Sequence, residues 1–284
     1  MINVIKNSLA YRLPTLYRKL LRYKKVAISQ SKPQSDLTVI TMTGKKIIDM
    51  TRLSIISIAK YWDSLPKLIV ASDGTISAEE IRENLSFWPG QLVITGWEQT
   101  EAYHLAKNRP GLVNYAQNHV LGKKLAVILH YAEIEPVLWI DGDILFYGDF
   151  GKHIPPHQDF MCGGSEEGYS VYDERVLNFF NNNLYEVYKF SSGLLFIYGQ
   201  GIYERFNLEE LLAQLPNYDH YFTEQTIFAH IASTSTGILW SMNAIRNFND
   251  DNQQIKPMSK KNVLGRHYTV NVRHLFWRDA FFNL

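Results

Sequence analysis

The stretch Val137-Leu138-Trp139-Ile140-Asp141-Gly142-Asp143-Ile144-Leu145-Phe146 decides the reading of this 284-residue chain. Four apolar residues run without alternation into two aspartates separated by one glycine, and an apolar run resumes behind them. An unbroken apolar run suits a strand covered on both faces, as in a parallel sheet flanked by helices. Open α/β sheets bind ligands in the crevice outside the carboxyl ends of their strands. Two carboxylates at such an edge repel each other unless a cation lies between them, and oxygen donors suit magnesium or manganese. Gly142 lets the backbone turn tightly and approach a bulky ligand. The simplest occupant is a divalent ion carrying a diphosphate.

Upstream, residues 37–42 read as a first strand ended by Thr43-Gly44, and Asp49 or Thr51 is placed to cap a helix through Leu53, Ile55, Ile56 and Ala59. Residues 68–71 form a second strand ending at Ser72-Asp73-Gly74, Ser77 to Glu80 fits a capping box, and residues 92–95 form a third strand. Strand, helix, strand, helix, strand is the signature of a parallel, doubly wound sheet. No Gly-x-Gly-x-x-Gly follows the first strand, so a dinucleotide fingerprint is absent. Residues 114–131 read as one helix with Leu121, Leu125, Ile128 and Leu129 on its buried stripe and Lys123 and Lys124 solvated by default.

Downstream, residues 160–165 read as a short strand and loop and residues 192–198 as a buried strand, with small Ser192 and Gly193 at its entrance, either admitting a bulky ligand against the backbone or marking a packed strand end. Residues 208–215 are helical, a further helix opens at Thr223-Glu224-Gln225, and the polar stretch 247–262 reads as a loop or lid. Asp73, at a strand end, reads either as a plain Asp-Gly turn or as an acceptor of hydrogen bonds from a base or ribose, with backbone groups of Thr43 and Gly44 in the same pocket.

The ordered set resembles the family-eight GT-A glycosyltransferases, the glycogenin and lipopolysaccharide-galactosyltransferase type. It comprises Gly122-Lys-Lys-Leu-Ala-Val-Ile-Leu129, Asp141-Gly142-Asp143, Ser191-Ser-Gly-Leu-Leu-Phe-Ile197, Glu224-Gln225, and His267-Tyr268 followed by His274-Leu-Phe-Trp277, spanning residues 37–280. The resemblance implies an α/β fold of the Rossmann-like GT-A kind, with a mostly parallel central sheet flanked by helices, as a single domain over residues 36–284. It implies transfer of a hexose from a nucleotide-diphosphate sugar, a UDP-sugar favoured, to a glycan or lipid-linked acceptor, with manganese or magnesium as cofactor. By the same resemblance Asp141, Asp143 and His267 hold the metal, and Lys123 or Lys124 reaches phosphate or sugar. Glu224 and Gln225 stand at the donor sugar as catalytic groups, and His274, in register with the family's basic position, meets the phosphate, with Arg273 also at the donor. The family has Asp where Glu224 stands and a glycine and a lysine-proline pair between His267 and Trp277; this chain has neither. Glu166 and Glu167 are alternative acids.

Two other classes compete. A haloacid-dehalogenase phosphohydrolase needs Asp-x-Asp-Gly-Thr near the start of its fold, whereas Asp143 is followed by Ile144 and three strands precede it. A degenerate sugar-nucleotide-binding or scaffold protein has no need to keep Asp141, Asp143, Glu224 and His267 together.

A hydrophobic fraction of 46% and an aromatic fraction of 13% belong to a globular chain. Of 29 Lys and Arg, eight fall in residues 1–35, which hold no acid; 21 bases against 28 acids remain, a net charge of −7. An acidic body excludes a nucleic-acid binder, which needs a basic face on the fold itself. The basic segment carries Leu13, Leu16, Tyr17, Leu20 and Leu21, which share one stripe if helical, so it either lies on an anionic membrane or docks on the body. Single Cys162 precludes an intrachain disulfide, and no apolar run approaches the roughly 18 residues of a membrane span. The N-terminus lacks the compact apolar core of a signal peptide, so the expected setting is cytoplasmic, with possible peripheral membrane contact through residues 1–35.

Overall fold

The computed structural model describes residues 2–156, 158–169, 171–184, 189–215, 217–248, 256–260 and 263–284, with side chains from residue 9. The first half comprises α1 (Ile2–Leu21), β1 (Gln34–Thr43), α2 (Ile48–Tyr61), β2 (Leu65–Ser72), α3 (Ala78–Asn84), β3 (Leu92–Thr95), α4 (Trp97–Ala106), α5 (Pro110–Asn118), α6 (Val120–Ala132), β4 (Val137–Ile140) and β5 (Ile144–Phe146). The second half comprises β6 (Phe160–Glu166), α7 (Glu174–Phe180), β7 (Phe190–Gly199), α8 (Ile202–Arg205), α9 (Leu208–Gln214), α10 (Thr223–Ser233), β8 (Leu239–Trp240), β9 (Ile245–Arg246), β10 (Gly265–His267) and α11 (Arg273–Asn283).

Seven strands form the central sheet in the order β3-β2-β1-β4-β7-β6-β8. The strands β3, β2, β1 and β4 are mutually parallel, as the alternating strand-helix pattern predicts, with Val39 opposite both Leu68 and Leu138. β7 alone runs against its neighbours β4 and β6, while β8 is parallel to β6. The sheet is therefore mostly parallel. β4 is buried at every position because a hydrophobic cluster lies on each face, Trp139 packing with α6 on one side and Leu138 and Ile140 with α2 on the other. A second sheet, β5-β10-β9, stands beside the end of β4.

Several expectations change in detail. Ser77 accepts from the Glu80 amide as the capping box requires, at 3.1 Å. Neither Asp49 nor Thr51 caps α2, whose N-cap is Ile47; Asp49 pairs with Arg18 at 3.0 Å, and the Thr51 hydroxyl accepts from Thr43. The single helix expected over residues 114–131 is two helices, α5 and α6, broken at His119. His119 is extended and its Nδ1 accepts from the Leu121 amide, capping α6 as Ser or Asn would. Gly122 lies inside α6 because a Cβ there would sit 2.6 Å from the backbone of Tyr115. Of the loop expected at 247–262, residues 249–255 and 261–262 lie outside the described residues.

The N-terminal segment is helical and docks along α11. Tyr11 stacks on His274 with centroids 4.4 Å apart, Tyr17 on Phe281 at 5.1 Å, and Arg18 lies over Trp277. The expected stripe divides: Leu21 is buried, Leu13 and Tyr17 are half-buried, and Leu16 and Leu20 are exposed, as is Leu9 before them. No helix among the described residues is long and apolar enough to cross a membrane. Cys162 is buried with its thiol pushed up by desolvation, so it is not nucleophilic.

A buried ionic cluster ties α4, α5 and α8 to the end of α6. Arg109, 1% exposed, donates to Glu133 at 2.8 Å and to Glu204 at 2.7 Å, while Lys107 and Tyr103 also reach Glu133. Burial alone would raise the Glu133 carboxyl, but the hydrogen bonds from Arg109, Lys107 and Tyr103 outweigh it and hold it at about 2. Burial pushes the imidazoles of His104, His130 and His230 down to about 4. Each of these groups binds fewer protons folded than unfolded, so each stabilises the fold less as pH falls. The histidines lose their contribution from their ordinary 6.5 down to about 4, and Glu133 from its ordinary 4.5 down to about 2. The thermal midpoint is therefore expected to drop steadily once the pH goes below 6.5, the ordinary histidine value. A midpoint that stayed flat down to about 4 would mean that these imidazoles are not buried as described.

Candidate active site

The end of β4 delivers Asp141, and the ladder fixes it, because the Asp141 amide donates to the Gly193 carbonyl of β7 at 2.7 Å. Trp139, two residues earlier and so on the same face, donates its indole N–H to Asp141 Oδ1 at 2.7 Å. Gly142 makes the turn under Thr51, where a Cβ would lie 2.5 Å from its hydroxyl. Asp143 precedes β5, and its carbonyl accepts from the Tyr268 amide at 2.9 Å. The antiparallel pairing of β10 with β5 sets His267 opposite Ile144, beside Asp143. A residue from the far end of the sequence thus meets the aspartate pair through a three-residue strand.

The three side chains offer two carboxylate oxygens and one imidazole nitrogen within 4.8 Å of one another. His267 Nε2 is 3.2 Å from Asp143 Oδ1 and 3.8 Å from Asp141 Oδ2. Burial alone would lower the His267 imidazole, but Asp143 and Asp141 outweigh it and raise it. Burial alone would raise the Asp143 carboxyl, and here His267 and Arg273 prevail and lower it. Arg273, at the start of α11, donates twice to Asp143 Oδ2, at 3.0 and 2.8 Å. The repulsion between the paired aspartates is thus offset by cations on both sides.

Lys124 overturns its default reading as a solvated helix lysine. It is 4% exposed and bridges Asp141 at 3.1 Å, Glu224 at 3.4 Å and the Ser192 hydroxyl at 3.1 Å. Burial works against its charge, but the two carboxylates outweigh burial and raise it. Glu224, in the first turn of α10, is likewise buried; desolvation, reinforced by Asp141, raises its carboxyl despite Lys124 and Ser192. Ser192 donates to Glu224 Oε2 at 3.0 Å. Gln225 donates its amide to Glu167 and to the Val171 carbonyl.

A cavity of about 400 Å³ opens over this set. Its lining includes Lys124, Asp141, Asp143, Glu167, Ser192, Gly193, Glu224, Gln225, His267 and Arg273, with Met42, Met50 and Tyr221 as apolar walls. Gly193 leaves room not for a ligand alone but for His267, since a Cβ there would lie 2.3 Å from the imidazole Cε1. Thr43, Gly44, Asp73 and Lys123 gather next to the cavity without lining it. The Asp73 amide donates to the Thr43 carbonyl, its side chain fills the space above Gly44, and Lys123 donates to the Asp73 carbonyl at 2.7 Å. The Asp73 carboxylate accepts from Thr75, as an Asx turn does. His274 lies apart, against Tyr11 of α1. Trp139 and Glu167 were missed or only named as alternatives; the two-residue spacing of Trp139 to Asp141 was the signal for the first.

No protein-family model and no curated protein matches the sequence. Solved structures do match. The bifunctional glycosyltransferase WbbM, solved in its apo form, superposes with a TM-score of 0.58 at 15% identity, over 88% of this chain and 50% of that one. The galactosyltransferase LgtC, in complex with donor and acceptor sugar analogs, gives 0.53 at 13% identity over 87% of this chain and 96% of that one. The glycosyltransferase GlyE of Streptococcus pneumoniae TIGR4 gives 0.53 at 13% identity over 86% and 61%. The chain therefore spans about half the length of WbbM and nearly all of LgtC. At these identities the likeness establishes the fold, which is the GT-A fold implied by the sequence resemblance.

Proposed function

We propose that this chain is a metal-dependent glycosyltransferase that moves a hexose from a nucleotide-diphosphate sugar, a UDP-sugar favoured, to a glycan or lipid-linked acceptor in the cytoplasm. The observation that carries the reading is the convergence of Asp141, Asp143 and His267 on a cavity that Glu224 and Gln225 also line. The donor set suits manganese or magnesium, and His267 fits the role, because a divalent ion between it and the two carboxylates replaces one imidazole proton. Bound there, the ion would neutralise the charge that grows on the departing diphosphate.

The chain's own groups account for the rest. In transfer the bond from the anomeric carbon to the diphosphate oxygen breaks, a bond to the acceptor oxygen forms, and the acceptor hydroxyl gives up its proton. Lys124 and Arg273 supply fixed positive charge on the diphosphate side, where preorganised charge acts most strongly. Glu224 and Gln225 face the sugar, and Ser192 and Gly193 line its approach. Thr43, Gly44 and Asp73, at the ends of β1 and β2, and Lys123 of α6, which donates to the Asp73 carbonyl, take the nucleoside end. Arg273, rather than His274, is the basic group at the cavity. Transfer to glycan or lipid-linked acceptors, or donor hydrolysis, is expected with a panel of nucleotide sugars and to require manganese or magnesium. Donor binding without turnover across the whole panel would instead make this a sugar-nucleotide-binding scaffold.

Gly193→Ala tests the metal role without touching a ligand. The added methyl displaces the His267 ring, so manganese affinity measured by calorimetry is expected to fall about 10- to 100-fold while the fold persists. Unchanged affinity would remove His267 from the ligand set.

The exposed rail Leu9, Leu16 and Leu20, with Arg12 and Lys19 each three residues beyond a leucine of the rail, is the proposed contact with an anionic membrane. Replacing the three leucines with serine keeps the docked face of α1. The triple variant is expected to bind phosphatidylserine vesicles more weakly than wild type, and wild-type binding is expected to weaken with salt. Equal vesicle binding by both proteins would leave α1 as a docked helix and nothing more.

A further inference from the structure

The side-chain amide of Gln225 is held in one orientation. Its Nε2 has the Glu167 carboxylate oxygen Oε2 at 3.1 Å and the Val171 carbonyl at 3.3 Å. A backbone carbonyl can only accept, so the NH2 end belongs to this wall and the carbonyl oxygen Oε1 is the other end; burial raises the Glu167 carboxyl, while His267 and the Gln225 contact favour its ionised form, which accepts as well. Gln225 is 9% exposed and lines the cavity, so the free end of the amide is the one turned to it. Glutamine has no such preference of its own, since its two ends are nearly the same size. The choice is made by Glu167, directly after β6 and lining the same cavity, together with the Val171 carbonyl.

We propose that Glu167 is a positioning residue that fixes the Gln225 amide with its carbonyl oxygen toward the donor sugar and enriches that oxygen in electron density. The inference rests on the glycosyltransferase reading for its chemistry, though not for its geometry. As the bond to the diphosphate breaks, positive charge grows on the anomeric carbon, and a carbonyl oxygen aimed at it stabilises that charge without gaining or losing a proton. A hydrogen bond from Nε2–H to an anion shifts amide resonance toward the oxygen, so the contact at 3.1 Å acts on both the direction and the polarity of Oε1. With Glu167 neutral or absent, the amide keeps only the longer contact to the Val171 carbonyl, at 3.3 Å, and turns its NH2 end to the sugar more readily, where a donor group opposes the growing charge. Glu167 therefore acts through Gln225 and need not touch substrate.

Two measurements decide this. In the nitrogen-proton correlation spectrum of the wild type, the Gln225 side-chain pair, assigned by its loss in Gln225→Glu, is expected to lie away from the solvent-exposed glutamine positions and to exchange slowly. In Glu167→Ala it is expected to return to them. An unshifted, fast-exchanging pair in the wild type overturns the proposal whatever the enzyme does. In turnover, Glu167→Gln is expected to lower kcat about 10- to 100-fold with donor KM within about twofold. Gln225→Glu sets two carboxylates face to face and should cost more. The reciprocal double variant Glu167→Gln/Gln225→Glu restores one amide against one carboxylate and is expected to recover kcat above Gln225→Glu alone. Additive losses in the double variant overturn the proposal, because a residue that only holds the loop together gives no recovery. Should the wild type turn over no nucleotide sugar, the glycosyltransferase reading fails on that count, and the amide spectrum alone decides whether Glu167 orients Gln225.

Discussion

Asp143→Asn is expected to abolish transfer, with kcat/KM falling at least about 10³-fold, while the circular dichroism spectrum stays that of the wild type. The substitution keeps volume and one acceptor oxygen, so Arg273 retains a partner and β5 keeps its backbone bond to Tyr268. What disappears is the buried negative charge that raises the His267 imidazole and that a divalent ion needs. Arg273 is half exposed and can return to water, and a neutral His267 is content without its carboxylate, so the loss of stability is small. Manganese affinity falls together with activity. Near wild-type turnover at saturating manganese would show that Asp143 is not a ligand.

Lys124→Met should lose stability as well as activity, and the loss of stability is large. It removes the one cation that Asp141 and Glu224 share in the buried wall of the site. Breaking a buried ionic set by deleting one member costs about 3–5 kcal/mol, because the remaining charges stay desolvated. For a domain of this size each kcal/mol moves Tm by about 2–4 °C, so a drop on the order of 10 °C is expected by calorimetry. The cause is the stranded carboxylate and not the lost packing. Lys124→Met/Glu224→Gln is therefore expected to regain most of the loss, and activity stays low in both. A single variant as stable as wild type would mean that Glu224 is protonated and needs no cation.

How much of this was legible depended on the range of the signal. The aspartate pair sits within three residues at the end of an apolar run, and that local pattern placed both the strand and its functional edge. The parallel half of the sheet followed from strand and helix alternation. An apolar run reports burial and not direction, so nothing in residues 190–199 announced that β7 runs antiparallel. The break at His119 carried no glycine or proline; it is made by an imidazole acting as a cap and by the close approach of Gly122 to α5. Lysine is solvated in most helices, so the burial of Lys124 could be read only once Asp141, Ser192 and Glu224 were seen to surround its ammonium. The amphipathic reading of residues 13–21 assumed one apolar stripe where the helix uses two, one for docking and one left outward. His267 was reached through resemblance alone, since no spacing rule links it to Asp143.

The pairing of β10 with β5 also dictates when the protein comes of age during synthesis. The parallel strands β1 to β4 close through short helical crossovers, contacts a growing chain can make early. His267 is translated long after them, and only the last small ladder brings it to Asp143. The cluster of Asp141, Asp143 and His267 is therefore a late product of assembly, completed on a sheet that is already paired.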